Sequence, residues 1–279
     1  MKCITLGHTP DADDAFMFYG IAAGKVTSAF FNVEHVIDDI ETLNKRAINH
    51  ELDVTAISAH AYAYTQDYTI LRSGGSFGLG YGPIVIAKKP MDGEVLRHGT
   101  IAIPGQMTSA NLMLKLAIGN FDSKQMTFSS IPDAVSSGSV DAGLINHEAQ
   151  ISLRDKFYTV MDLGKWWNIV SQGMPVPLGI NVASRRSMTV DDINKFDSFF
   201  RNSIEYGLKN MDEAINYAMK YARGNANEMI ERFVKMYVNH LTINMGSEGE
   251  GSITLLLNKA RDEKLLTFGE IEFAKDENK

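Results

Sequence analysis

The chain of 279 residues holds a single cysteine, Cys3, which excludes an internal disulfide and any cysteine-rich metal centre. Basic charge is also short: 27 Lys and Arg stand against 34 Asp and Glu, for a net charge of −7. That balance argues against nucleic acid or an anionic membrane as the main partner, although a locally positive site can still take a small anion. No apolar run approaches the length of a membrane span. Met1-Lys2-Cys3-Ile4 enters an apolar strand with no basic segment, apolar core or cleavage site of an export signal, so a cytoplasmic location is expected. There is no P-loop and no His-Glu-x-x-His, and no spacing assigns a serine–histidine–acid set.

What is present is ordinary globular composition, 44% hydrophobic and 22% charged, with enough chain for two compact domains or one large one. The first half alternates strands and helices. Strands are expected at Cys3–Leu6, Phe30–Val36 and Val54–Ile57, and helices at 12–23, 39–49 and 59–65, where apolar residues recur at helical spacing. Cys3 is expected to be buried in its strand. A second series follows, with strands at Thr100–Ile103, Gln125–Ser129 and Ala142–Ile145 and helices at 109–118 and 132–137. Each βαβαβ series calls for a parallel sheet covered by helices. The extended segments 83–87 and 177–183 read as antiparallel crossovers between two lobes, and the chain from Thr189 onward reads as helical, with caps at Thr189 and Asn210. The expectation is a two-lobed, hinged α/β architecture with a central ligand cleft. Lobe 1 would comprise 1–87 plus 185–279, and lobe 2, carrying His147, 88–184.

Candidate chemistry sits at strand ends. Ala142–Ile145 leads into Asn146-His147-Glu148, and histidine suits proton transfer near neutrality; a structural histidine is the alternative. The turn 104–108 and the helix opening at Ser109 offer free N–H groups and a dipole end for a carboxylate or phosphate, alongside ordinary capping by Thr108 or Ser109. In the turn 7–16, Asp11, Asp13 and Asp14 fit the first turn of a helix. A metal site from His8, Asp11 and Asp13 has no diagnostic spacing, and capping with one or two cleft-facing groups is expected instead. Ser58 ends a third strand before a helix, with His60 placed at the surface or behind the site. The glycine-rich run 74–82 fails as a nucleotide loop because a strand follows it; its glycines suit a flexible lip. Trp166 and Trp167 could wall a pocket or fill core.

Several of these segments together carry a family resemblance. Thr9-Pro10-Asp11-Ala12-Asp13-Asp14-Ala15-Phe16, Asp53–His60, Pro104-Gly105 with Thr108-Ser109-Ala110-Asn111, Asp141–Ile145 with His147-Glu148, and Tyr237-Val238-Asn239 with Thr242 span essentially the whole chain. The chain resembles the menaquinone-biosynthesis enzymes of the futalosine route, and among them the 1,4-dihydroxy-6-naphthoate synthase branch. The resemblance implies a type 2 periplasmic-binding-protein-like fold and an enzyme that fragments cyclic dehypoxanthinyl futalosine. It implies His147 as proton acceptor, with substrate contacts at Ala56, Ile57 and Ser58 and at Ser109 and Ala110. Thr108 and Asp11 belong to the same expected substrate-binding set. Neither metal nor organic cofactor is implied. The expected partner is a small anionic, carboxylate-bearing substrate. The related chorismate dehydratases carry an acidic residue where this chain has His147. Two departures stand out: the synthases usually read Ser-Pro-Cys-Pro-Asn-Asp-Thr-Phe at 9–16, and often a lysine at the place of Ala56. A solute-binding protein for a small anion and a chorismate dehydratase-like enzyme are the alternatives.

Overall fold

In the computed structural model, which describes residues 1–145, 153, 156–221 and 227–275, the first apolar run becomes strand β1 (Lys2–His8). Helix α1 (Ala12–Ala22) leads to β2 (Phe31–Ile37), and α2 (Ile40–Ile48) to β3 (Val54–Ser58). β1 pairs in parallel with both β2 and β3, as a βαβαβ unit requires. A 3₁₀ turn (Ala59–Tyr64) and two short strands, β4 (Tyr68–Ile70) and β5 (Ser76–Gly78), complete this part of the chain. Cys3 is exposed, which corrects the expectation of a buried cysteine. Alternation along β1 sends Ile4 and Leu6 into the core and Cys3 to the opposite face, and β3 reaches only as far as Leu6 and Gly7.

The second unit runs β6 (Ile84–Ala87), α3 (Gly93–His98), β7 (Thr100–Ile103), α4 (Ser109–Ile118), β8 (Asp122–Gln125), α5 (Ile131–Ser137) and β9 (Ala142–Ile145). β10 (Tyr158–Asp162), α6 (Leu163–Val170) and β11 (Val176–Ser184) follow. The strand expected at Gln125–Ser129 is displaced: Asp122–Gln125 pairs with Thr100–Ile103, and Phe128–Ser130 forms a 3₁₀ turn. β8 is a polar edge strand, so its register is set by its four-residue partner and not by an apolar face.

The strands form two sheets, ordered β2-β1-β3-β11-β4 with β5 on β11, and β10-β6-β9-β7-β8. They divide the chain differently from the lobe boundaries read above. β6 pairs antiparallel with β9 and β10 in the second sheet, and β11 pairs antiparallel with β3 in the first. Each crossover segment therefore belongs to the sheet it enters, not the one it leaves.

Helices α7 (Val190–Lys209), α8 (Met211–Ala218), α9 (Asn227–Tyr237), α10 (His240–Ile243) and α11 (Gly246–Asp262) follow. Thr189 forms the expected capping box with Asp192, whereas Asn210 makes no side-chain cap and instead donates from Nδ2 to the Tyr206 carbonyl. Helix α1 packs between the first sheet and α7. Phe18 stacks on Phe200 with ring centroids 4.2 Å apart, and Gly20 lets the helices close, since a Cβ there would lie 2.9 Å from Ser203 Oγ. Each buried phenylalanine contributes about 1.5–3 kcal/mol by leaving water. Trp167 is fully buried and donates from Nε1 to the Pro175 carbonyl, so it fills core. Among the described residues no helix is long and apolar enough to cross a membrane.

Candidate active site

A cavity partly open to solvent is lined from both sheets. The first sheet supplies the β1–α1 turn, the end of β3, Gly74 and Ser76 near β5, and Leu178–Asn181 of β11. The second supplies Thr108, Ser109 and Phe128, and Tyr237 approaches from α9. Of the residues expected to touch a substrate, Asp11, Ala56, Ile57, Ser58, Thr108 and Ser109 line this space. The side chain of Ala110 is fully buried in the core. His147 and Glu148 lie outside the described residues. The strand before them, β9, is buried between β6 and β7 in the interior of the second sheet.

Carboxylates dominate one wall. Asp11 occupies the N-cap position of α1, makes no side-chain cap hydrogen bond there and lines the cavity. The turn is held instead by Asp14, whose Oδ2 accepts from Thr9 N at 2.9 Å and Thr9 Oγ1 at 2.8 Å. Burial pushes the Asp14 carboxyl up to about 6, against the opposing hydrogen bonds from Thr9. Asp13 accepts from Ser76 Oγ at 3.0 Å. Burial first, and then the neighbouring charges of Asp14 and Asp11, hold Asp13 well above the usual carboxylate range.

The opposite wall is the start of α4. Thr108 is its N-cap and accepts from Asn111 N, as the sequence suggests. The Ser109 hydroxyl donates to the Leu178 carbonyl at 2.5 Å. His60 is buried, not at the surface, and its Nδ1 faces the Thr108 carbonyl at 3.2 Å. Burial pushes the His60 pKa down to about 4, so the ring is neutral and Nδ1 is the donor. His8, also buried, is likewise pushed down to about 4 and places Nδ1 2.9 Å from the Thr9 carbonyl.

Ser58, at the end of β3, lines the same space. Its N–H donates to Asn44 Oδ1 at 2.9 Å, and its hydroxyl accepts from Asn44 Nδ2 at 3.2 Å. Asn44 also donates to Glu41 Oε2 at 3.4 Å. Glu41 Oε1 accepts from Gln106 N at 3.1 Å and Glu41 Oε2 from Met107 N at 3.2 Å, linking α2 to the loop before α4. Asn181 is a residue the sequence reading passed over. Its Nδ2 donates to the Gly74 carbonyl at 2.8 Å, which fixes the amide's orientation, while Oδ1 has no partner among the described residues. A lone polar residue in the apolar run 176–183 was the available signal. Among the described residues no group of three or more His, Cys, Asp or Glu could hold a metal ion.

The comparisons with known proteins agree with this architecture. A family described as menaquinone biosynthesis matches residues 4–262. A 1,4-dihydroxy-6-naphthoate synthase of Thermus thermophilus is 36% identical over 262 residues, covering 93% of this chain and 94% of its own. A solved structure from Archaeoglobus fulgidus is 46% identical with a TM-score of 0.89, covering 95% of this chain and 98% of that one. A Candida albicans protein described as having the generic periplasmic binding protein fold shares 13% identity at a TM-score of 0.67 over 99% of both chains, and shows the fold alone. The two-lobed α/β fold is thus of the periplasmic-binding-protein type, and the chain belongs to the menaquinone biosynthesis family.

Proposed function

We propose that this protein is an enzyme of menaquinone biosynthesis that converts cyclic dehypoxanthinyl futalosine to 1,4-dihydroxy-6-naphthoate. The observation that carries the reading is likeness over 93% of the chain to a protein named for that synthase. The cavity supplies a consistent way to hold such a substrate. Carboxylates on the Asp11–Asp14 side repel an anion, whereas the N-terminus of α4 attracts one. The substrate carboxylate therefore sits at the first-turn N–H groups of Ser109 and Ala110, which have no intrahelical acceptor. Its hydroxyl-bearing part faces the other wall. There the Ser58 hydroxyl, already accepting from Asn44, donates outward, and Asp13, whose burial favours the protonated form, adds a second polar contact. His147 removes a proton from the bound substrate and starts the fragmentation, and closure of the lobes excludes water from the step.

The test is turnover of cyclic dehypoxanthinyl futalosine by purified protein, followed as product by mass spectrometry, with His147→Ala alongside. Product from the wild type and a loss of at least about 10²-fold in the variant, with binding retained, is the expected result. Tight binding by the wild type without turnover is the behaviour of a solute-binding protein and would overturn the proposal.

A further inference from the structure

Glu41 is a carboxylate taken out of water, and among the described residues it makes no ion pair. The residue is 3% exposed, and its partners among the described residues are amides: Gln106 N, Met107 N and Asn44 Nδ2. A buried carboxylate is retained only where hydrogen bonds replace its hydration, and here the two backbone donors, Gln106 N and Met107 N, come from the other side of the cavity. Glu41 lies in the first turn of α2, against the first sheet, while Gln106 and Met107 lie in the loop between β7 and α4 of the second.

The fit is tight from both directions. A Cβ at Gly105 would stand 2.3 Å from Glu41 Oε2 and 3.0 Å from Glu41 Cβ, so only glycine lets the loop reach the carboxylate. On its other side Glu41 is tied through Asn44 to both the N–H and the hydroxyl of Ser58. One hydrogen-bonded path therefore runs from the loop that launches α4 to the strand end that presents Ser58. We infer that Glu41 is a positioning residue that fixes the spacing between Ser58 and the N-terminus of α4 when the lobes are together, through its bonds to the Gln106 and Met107 amides. The turnover part of this assignment rests on the proposed synthase reading; the structural part does not.

Two other bonds hold the same end of α4, Ser109 Oγ to the Leu178 carbonyl and His60 Nδ1 to the Thr108 carbonyl, and they keep a Glu41 variant folded. Glu41→Gln is nearly isosteric but turns an NH₂ group toward one of the two amides. Hydrogen exchange at the Gln106 and Met107 amides, measured without ligand, is expected to quicken about ten-fold or more. Turnover of cyclic dehypoxanthinyl futalosine is expected to fall about ten-fold in kcat with KM within about three-fold, because misplacement acts on the reacting geometry. Gly105→Ala should reproduce the loss, and Glu41→Ala/Gly105→Ala should be little worse than Glu41→Ala alone, since the 2.3 Å clash goes with the carboxylate and only the 3.0 Å contact with the Cβ of residue 41 is left to relax. Unchanged exchange at the two amides, or additive losses in the double variant, would overturn the assignment. If the wild type shows no turnover, the synthase reading fails, and the exchange measurement alone decides Glu41.

Discussion

The Ser109 hydroxyl donates to the Leu178 carbonyl at 2.5 Å, and it also accepts from the His60 amide at 3.4 Å. The side chain is therefore a bridge between α4 and the first sheet, and what α4 offers a ligand is its backbone. Ser109→Ala should lower stability by about 1 kcal/mol, read in urea denaturation, because a buried carbonyl loses its donor. Substrate affinity should change less than about three-fold by calorimetry. A loss beyond ten-fold in affinity at unchanged stability would show that the hydroxyl itself binds substrate.

Asp13→Asn should stabilise the protein at neutral pH. The folded state holds the Asp13 proton more tightly than the unfolded chain, so stability present at low pH is lost as pH rises above about 4. Asp14, pushed up to about 6, adds a loss of the same sign between about 4 and 6. Asparagine keeps an acceptor for Ser76 and has no proton to lose. Urea titrations from pH 4 to 8 should give a flatter profile for the variant; parallel profiles would contradict the burial argument.

His60→Gln tests the opposite slope. The folded pKa of about 4 lies below the ordinary 6.5, so the unfolded chain takes up a proton that the native state refuses. The contribution is whole above pH 6.5 and drains away as pH falls toward 4. The difference between wild type and variant should therefore shrink on acidification. A difference independent of pH would mean that His60 is not held neutral.

Gly143→Ala probes the strand before His147. A Cβ at this position would lie 2.5 Å from Ile131 Cγ2 and 2.9 Å from Val135 Cγ2, so helix α5 has to move off β9. A destabilisation of about 1–3 kcal/mol is expected, measured by thermal or urea unfolding. A neutral substitution would show that α5 yields without cost.

Much of this was legible in the residues because apolar period reports a face. β1, α1, β3, β7, α4 and β9 stand within a residue or two of where the alternation and helical spacing place them. The polar edge strand Asp122-Ser123-Lys124-Gln125 had no face to report, and the apolar residues just beyond it drew the reading downstream. Glu41 was invisible for a related reason. A polar residue in the first turn of a helix reads as solvent-facing and dipole-stabilised, and only the approach of Gly105 from a distant part of the chain buries it. Asn181 sat inside a segment read as a connector, so its Oδ1, without a partner among the described residues, could be seen only once β11 was placed between β3 and β4.

The exchange of β6 and β11 between sheets also orders the making of the protein. A nascent chain that has emerged as far as Asp162 already holds all five strands of the second sheet. The first sheet still lacks β11, the strand on which β4 and β5 pair and which joins them to β3. The earliest-synthesised strands must therefore wait for Val176–Ser184 before their sheet can close. The wall of the cavity formed by Leu178–Asn181 arrives with that closure, and Tyr237 of the later helix α9 joins it only afterwards.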